Sequence, residues 1–304
     1  MNLSSLRSAY WAPLGFEDEL VHELGSEVLA RHDRLVLSRE PARDVVWSHN
    51  VLYDPQVLAI ESISTGAKAL RTLAPEWVLA PVAHHRRASL IQEGAARRRK
   101  PKPLTFLQAM PEKPLATWSL LEPNLAIAAP TCSSLVANGD AEFDENKTEP
   151  PSRAYLKLWE LMTLEGLVPE ATEKCLDVGA APGGWTWGLA KVGAHVTAID
   201  KAALAPNVAK MKKVTSLAKD AFKLEPSDTG DIDWFFSDMI CEPPKLLALV
   251  KKWIESGRCR NFVCTIKFKG KTDFATLEKF LAIEGSRARH LYHNKHEVTW
   301  WLVR

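Results

Sequence analysis

The stretch CLDVGAAPGGWTWGLA, residues 175–190, constrains the fold of this chain more than any other part of its sequence. It begins as an apolar strand, continues through a turn with three glycines and ends as the start of a helix. Glycine at such a turn lets the backbone approach a ligand closely, because no Cβ atom intervenes. In open α/β sheets the ligand lies beyond the carboxyl ends of the strands. The stretch therefore predicts a ligand-binding turn in an α/β domain.

The rest of the second half alternates strands with helices. This alternation predicts a Rossmann-like α/β fold, in which a parallel sheet carries helices on both faces. Two short strands close the chain. The predicted helices are 153–164, one starting at Trp185, 244–256 and 274–283, and the predicted strands include 195–200, 234–239 and 261–268.

The first half has a different character. Residues 1–136 predict a small α+β domain with a strand at 8–11, a helix at 15–24, and further strands or buried segments at 45–47 and 57–63. Residues 137–152 are polar, acidic and closed by Pro150-Pro151, which is typical of a linker. Residues 153–304 form the second predicted domain.

The bulk composition narrows the class of protein. An apolar content of 46% and a charged content of 25% are those of an ordinary globular protein, and no apolar run is long enough to cross a membrane. No secretory signal is visible. The five cysteines form no C-x-x-C pair and no zinc spacing, so we expect reduced thiols, a cytoplasmic location and no metal.

Charge is distributed unevenly along the chain. Residues 1–150 hold 16 Lys and Arg against 19 Asp and Glu, whereas residues 151–304 hold 23 against 18. The run from His84 to Lys102 contains seven basic residues and one Glu. It is either a solvated surface or a patch that contacts nucleic-acid phosphates.

The glycine-rich turn does not have the dinucleotide-binding pattern G-x-G-x-x-G, because Ala181 occupies the place of the second glycine. A nicotinamide-dependent oxidoreductase is therefore disfavoured. Asp200 ends the next strand, where a carboxylate accepts hydrogen bonds from ribose hydroxyls. Asp220 follows the third strand and could accept from an adenine amino group. These positions favour an adenosine-containing ligand without a pyrophosphate.

Four further ionisable residues stand out: Lys157, Asp238, Lys267 and Glu297. Taken singly, each is explained as a surface charge. Asp238 and Lys267, however, end strongly apolar strands, where open sheets place their sites. Together, around one glycine-rich turn, the four favour a catalytic site.

These motifs are similar to those of a known enzyme family. Residues 150–304 resemble the FtsJ-type ribose 2′-O-methyltransferases, most closely the branch that methylates a cytidine of bacterial large-subunit rRNA, through SRAYLKLWE, LDVGAAPGGWTWGL, SDMICEPPKLLAL, NFVCTIKFKGK and ARHLYHNKHEVTWWLVR. The resemblance implies a class I methyltransferase fold that uses S-adenosylmethionine. It places the catalytic set on Lys157, Asp238, Lys267 and Glu297. It places the cofactor contacts on Asp177, Gly179, Ala181, Pro182, Gly183, Gly184, Trp185, Asp200, Asp220 and Asp238.

The expected chemistry is proton removal from a ribose hydroxyl. We expect Lys267 to be the base, Lys157 to steer the ribose, and the two carboxylates to orient both amines. Lys157 and burial would lower the pKa of Lys267, whereas Asp238 and Glu297 would raise it. The sequence leaves this balance open.

The substrate also has alternatives. Large-subunit rRNA, naked or in early assembly, is the expected partner, and DNA is not, because it lacks the 2′-hydroxyl. Another rRNA or tRNA ribose remains possible, as does a catalytically idle RNA-binding or ribosome-assembly module. Residues 1–136 could be a reduced form of the family's RNA-binding region, known as THUMP.

Overall fold

The computed structural model describes residues 3–96 and 102–304. The chain divides into two compact units. The first runs up to Leu104 and includes Ala109–Glu142, and the second contains Thr105–Gln108 and Phe143–Arg304. The division after Glu142 falls inside the stretch 137–152 that we predicted as a linker.

The first unit contains two sheets. One has the strand order β2-β3-β1-β4-β9 and the other the order β5-β8-β7-β6. The elements are β1 (Ser8–Trp11), α1 (Glu17–Leu24), β2 (Val28–His32), β3 (Leu35–Ser38), β4 (Asn50–Tyr53), β5 (Gln56–Ala59), α2 (Ile63–Leu73), β6 (Trp77–Leu79), α3 (His85–Ala95), β7 (Ala116–Glu122), β8 (Leu125–Ala129) and β9 (Thr131–Cys132).

The predicted apolar segments of this unit have different outcomes. The strand at 8–11 is β1, and the helix at 15–24 is α1, which begins two residues later. Residues 45–47 are a buried segment without strand pairing, and the backbone N–H groups of Val46 and Trp47 donate to the Glu23 carboxylate. The segment 57–63 splits into β5 and the start of α2, because Ser62 caps that helix and accepts from the Thr65 N–H.

The second unit is built on a seven-stranded sheet. Its order is β12-β11-β10-β13-β14-β16-β15. The elements are α4 (Tyr155–Glu165), β10 (Lys174–Val178), α5 (Gly184–Lys191), β11 (His195–Asp200), α6 (Pro206–Ala209), β12 (Val214–Ala218), β13 (Ile232–Ser237), α7 (Pro243–Ser256), β14 (Cys259–Lys267), α8 (Phe274–Leu281), β15 (Ser286–Arg289) and β16 (Glu297–Leu302).

The order of this sheet confirms the predicted Rossmann-like fold of the class I methyltransferases. Strands β10 to β14 are parallel, as expected. The sheet is mixed at one edge, because β16 runs antiparallel to both β14 and β15. The reversal is physically simple, since the short connection from β15 to β16 is a hairpin and contains no crossover helix.

Apolar packing fixes the sheet against its helices. One buried cluster joins Leu158 and Met162 of α4 to Trp185 of α5, Phe236 of β13 and Trp301 of β16. All five cysteines are free thiols. Among the described residues, no helix has both the length and the apolar character that crossing a membrane requires.

Candidate active site

A cleft of about 470 Å³ opens at the carboxyl ends of the parallel strands of the second unit. Its walls are formed by residues at and after the ends of β10, β11, β12, β13 and β14, together with residues that precede α4. They include Ser152, Ala154, Asp177, Gly179, Ala181, Pro182, Gly184, Trp185, Asp200, Lys201, Asp220, Phe222, Asp238, Met239, Ile240 and Lys267. The volume lies within the range of small-molecule sites in proteins.

Two positions in the turn after β10 require glycine. Gly179 has a φ of +73°, and a Cβ atom there would lie 2.7 Å from the Cβ of Met239. Gly183 has a φ of +111° and is the N-cap residue of helix α5. A side chain at Gly179 would meet backbone strain and a clash together, so the turn keeps its close approach to the cleft only with glycine there.

Asp177 lies at the base of the cleft and is fully buried. Its Oδ2 accepts a 2.6 Å hydrogen bond from the Thr186 hydroxyl, whereas its buried Oδ1 has no hydrogen-bond partner among the described residues. Burial raises the pKa of Asp177 to about 7, although the Thr186 hydrogen bond opposes the rise. An unpaired buried acceptor is costly. This oxygen is therefore available to a donor group of a ligand.

An aspartate lies at the end of each of the next two strands: Asp200 is the last residue of β11, and Asp220 follows β12 by two residues. Asp200 accepts from the Ala181 N–H at 3.0 Å and from the Ala202 N–H at 2.9 Å. Asp220 accepts from the Phe222 N–H and forms an ion pair with Lys201 at 3.0 Å. The hydrogen bond from Lys201 lowers the pKa of Asp220, so that carboxylate is ionised.

These features fit an adenosine-containing cofactor with an amino-acid arm. The glycines leave backbone space that a Cβ would fill, Asp177 offers a buried acceptor, and Asp200 and Asp220 offer carboxylates along one wall. Each ionised carboxylate oxygen has more than one acceptor position, so the existing backbone contacts leave capacity for ribose and amino donors.

The four ionisable residues meet at one end of the cleft. The Nζ of Lys157 lies 2.6 Å from Asp238 Oδ1 and 2.9 Å from Glu297 Oε1. The Nζ of Lys267 lies 2.6 Å from Asp238 Oδ1 and 2.6 Å from Glu297 Oε2. Two cations and two anions thus alternate in a closed arrangement, which we call the charged tetrad.

The sheet and one helix position the tetrad. Asp238 directly follows β13, and Lys267 ends the neighbouring strand β14. Because β16 is antiparallel to β14, its first residue, Glu297, is the register partner of Lys267. Lys157 comes from α4, which packs over the same end of the sheet through apolar contacts. The Thr265 hydroxyl adds a 2.6 Å hydrogen bond to Asp238 Oδ1.

The two lysines differ in their access to the cleft. Lys267 and Asp238 line it, whereas Lys157 and Glu297 lie behind them with side chains only 8% exposed. A substrate hydroxyl in the cleft would therefore meet the Lys267 amine before that of Lys157.

Charge pairing outweighs burial in setting the pKa values of Lys267 and Glu297. Burial favours neutral Lys267, but Asp238 and Glu297 together outweigh it and raise the pKa of that amine above its ordinary value. Burial likewise opposes ionisation of Glu297, yet Lys157 and Lys267 lower the pKa of this carboxyl to about 2. The balance that the sequence left open thus favours the ammonium form of Lys267.

Other aromatic and basic residues differ in their surroundings. Trp185 lines the cleft, but its ring belongs to the core and its indole N–H donates to the Ala154 carbonyl. Lys269 and Lys271, which follow Lys267 along the chain, are exposed, whereas the Lys213 amine donates to the carbonyls of Ala171 and Gly193. The run Arg97-Arg98-Arg99-Lys100 lies outside the described residues.

Several residues that contact the site residues were not predicted from the sequence. Thr186, Thr265 and Asn294 contact Asp177, Asp238 and Glu297 respectively, and no local motif marks them. Glu160 is buried and accepts from the Tyr292 and His293 N–H groups. Its spacing from Lys157, three residues along one helix, was the available signal, because such residues share a face.

Comparison with known proteins identifies the same region. Residues 150–282 match the model of the FtsJ-like methyltransferase family. The chain is 36% identical over 171 residues to the ribosomal RNA large subunit methyltransferase M of Aromatoleum aromaticum, covering 51% of this chain and 46% of that protein. It is 38% identical over 169 residues to the protein of that name from an Azoarcus species, covering 50% and 46%.

The match to the curated relatives covers only part of each protein. The chain spans about half the length of the curated relatives that it matches. Among solved structures, an rRNA methylase from Streptococcus thermophilus is similar with a TM-score of 0.35 at 15% identity, over 45% of this chain and 89% of that one.

Proposed function

We propose, from the premise that residues 150–282 form an FtsJ-like methyltransferase domain, that this protein methylates the ribose 2′-hydroxyl of a cytidine in large-subunit rRNA. The observation that carries the proposal is the charged tetrad at one end of the cleft. It brings an amine with a direct path to the cleft together with two carboxylates that orient it.

S-adenosylmethionine is the cofactor, and when bound it supplies a methyl group that is activated by a sulfonium. Asp200 would accept hydrogen bonds from the ribose hydroxyls, and Asp220 from the adenine amino group. Asp177, whose Oδ1 has no hydrogen-bond partner within the described chain, would accept from a donor at the base of the cleft. The turn from Gly179 to Gly184 would form the floor.

Lys267 would take the proton of the acceptor hydroxyl. Its amine must first lose its own proton, and the carboxylates of Asp238 and Glu297 resist that loss. Lys157, behind the cleft wall, would act on the ribose indirectly, because it holds the Asp238 and Glu297 carboxylates in place beside Lys267. Alignment of the ribose oxygen with the methyl group supplies rate. Since the base acts in its neutral form, transfer is expected to accelerate as pH rises.

RNA is the substrate that this chemistry selects, because the 2′-hydroxyl distinguishes RNA from DNA. The names of the curated relatives support large-subunit rRNA, and we propose it protein-free or at an early stage of assembly, in the cytoplasm. The run His84–Lys102 would contribute phosphate contacts from the first unit.

The test compares two acceptors of one sequence. Labelled S-adenosylmethionine is incubated with the full chain and either a large-subunit rRNA transcript or its DNA copy. The proposal predicts label in the RNA and none in the DNA. Equal transfer to both would contradict it, because a base atom and not the ribose would then be the acceptor.

A control separates binding from chemistry in that assay. Cofactor binding to the full chain is measured by calorimetry under the same conditions. Tight binding without transfer to any RNA, including assembled large subunits, would overturn the proposed enzyme and favour an RNA-binding module without catalysis.

A further inference from the structure

Helix α4 carries a second buried charge beside the tetrad. Glu160 lies three residues after Lys157 and is 2% exposed. No basic side chain of the tetrad contacts it in the described structure. Its partners belong instead to the turn Leu291–Asn294, which lies between β15 and β16.

The contacts between Glu160 and this turn are specific. Oε1 accepts from the Tyr292 N–H at 2.7 Å, and Oε2 accepts from the His293 N–H at 3.0 Å. The His293 Nδ1 lies 2.8 Å from the same Oε2. Two consecutive backbone donors on one carboxylate fix the turn both in position and in orientation, because both oxygens are engaged.

The same turn also contacts the tetrad. It is closed by hydrogen bonds from the Asn294 N–H to the Leu291 carbonyl and from the Leu291 N–H to Asn294 Oδ1. The Asn294 amide then donates to Glu297 Oε1 at 3.4 Å and contacts the Thr299 hydroxyl at 3.3 Å. Glu297 begins β16 three residues later. Its carboxylate therefore depends on where this turn lies.

We propose that Glu160 is a positioning residue of the methyl-transfer site: it holds the Leu291–Asn294 turn against α4 and thereby fixes Glu297 between Lys157 and Lys267. Helix α4 then positions two members of the tetrad: it carries Lys157 itself, and it positions Glu297 through the turn. The inference rests on the proposed function, since it concerns the same site.

Replacing Glu160 by Gln isolates this role. The amide has nearly the same shape, but its NH2 group would face backbone donors where an oxygen now accepts. The turn would shift, and Glu297 would move away from the Lys267 amine. The charged groups that face Lys267 are Asp238 after β13, Glu297 on β16 and Lys157 on α4, with the Cys241 thiol also near.

The readout is the pKa of Lys267, measured by NMR titration of lysine side chains in the full chain and assigned with Lys267→Met. In Glu160→Gln it should fall by about one pH unit, the effect of weakening one close opposite charge. In the Glu297→Gln background, Glu160→Gln should cause no further fall, because residues that act through one contact are not additive. An unchanged pKa, or an equal fall in both backgrounds, would overturn the proposal.

Two variants serve as controls. Glu165→Gln removes a carboxylate of the same helix that pairs with Arg289 at 2.8 Å, and it should leave the Lys267 pKa unchanged. Glu160→Asp keeps the charge but shortens the side chain. It replaces Glu160→Gln in the titration if that variant does not fold, and a smaller fall in the Lys267 pKa is then expected. Transfer by the wild type is followed separately, so failure of the proposed function and failure of the positioning role give different results.

Discussion

Lys267 and Glu297 stabilise each other's charged forms because they are register partners on adjacent antiparallel strands. Asp238 and Lys157 complete the arrangement, so each ammonium contacts both carboxylates. Removing one member leaves buried charge unpaired, which is far costlier than losing a surface ion pair. Substitution of one member is therefore expected to destabilise the fold.

Lys267→Met should abolish methyl transfer without affecting the cofactor. Removal of a general base lowers rates by about a hundredfold or more. Cofactor affinity should stay within about twofold, because Asp200 and Asp220, the proposed ribose and adenine contacts, bond to partners other than Lys267. Single-turnover transfer and calorimetry measure the two quantities. Lys279→Met, at an exposed position of α8, is the control and should behave as wild type. Near-normal transfer by Lys267→Met would refute its role as the base.

Glu297 should make stability sensitive to acid. Its folded-state pKa of about 2 lies below the ordinary 4.5, so its contribution is complete above pH 4.5 and is lost as pH falls towards 2. Between these values, Glu297→Gln should flatten the pH dependence of the free energy of unfolding by up to about 1.4 kcal/mol per pH unit. Urea unfolding at several pH values measures this slope. The exposed Glu278→Gln should keep the wild-type slope, and an unflattened slope in Glu297→Gln would refute the pairing.

At the scale of elements, the residues at the strand ends could be predicted from the sequence, but the residues that pair with them could not. Apolar runs bounded by Asp200, Asp238 and Lys267 located β11, β13 and β14 to within two residues. The pairing of Glu297 with Lys267 depends on β16 reversing its direction, which no local pattern specifies. Glu160 was not predicted for the same reason, because its partners lie about 130 residues away in sequence.

Gly179→Ala should weaken cofactor binding through the shape of the turn. A left-handed conformation costs an alanine about 1–2 kcal/mol, and here the new Cβ also meets Met239 at 2.7 Å. Relief of that clash would displace the cleft wall, so affinity for S-adenosylmethionine should fall by about tenfold or more, the scale of a 1.4 kcal/mol change.

Gly257→Ala is a matched control for this prediction. Gly257 has a φ of +67° at the end of α7, and a Cβ atom added there would meet no atom of the described residues within 4 Å. It should lose similar stability in urea unfolding but keep wild-type cofactor affinity. Equal loss of affinity in both variants would show that general destabilisation, and not the turn, controls binding.

At the scale of the whole molecule, the two units differ in how far sequence reasoning reached. The second unit has period-matched strands and helices, so its architecture followed from alternation. The first unit has short strands whose order in two sheets depends on long-range pairing. Thr105–Gln108 belongs to the second unit, where Phe106 stacks on Trp159 at 4.5 Å.

Replacing Arg97, Arg98, Arg99 and Lys100 by Ala tests whether the basic run of the first half contacts RNA. If all four contact phosphates, the plot of log affinity against log salt should become shallower by about three, since each lost contact removes about 0.7–0.9 from the slope. Filter binding to rRNA across a salt series measures it. An unchanged slope would identify the run as solvated surface.

The most direct test of the central claim is the chemical identity of the product. Large-subunit rRNA is methylated by the full chain with labelled S-adenosylmethionine, digested to nucleosides and analysed by mass. The charged tetrad predicts a product methylated on the ribose 2′-oxygen, and the proposed function predicts that it is 2′-O-methylcytidine, made by the wild type and not by Lys267→Met. Label on a nucleobase, or a product that survives Lys267→Met unchanged, would contradict the account.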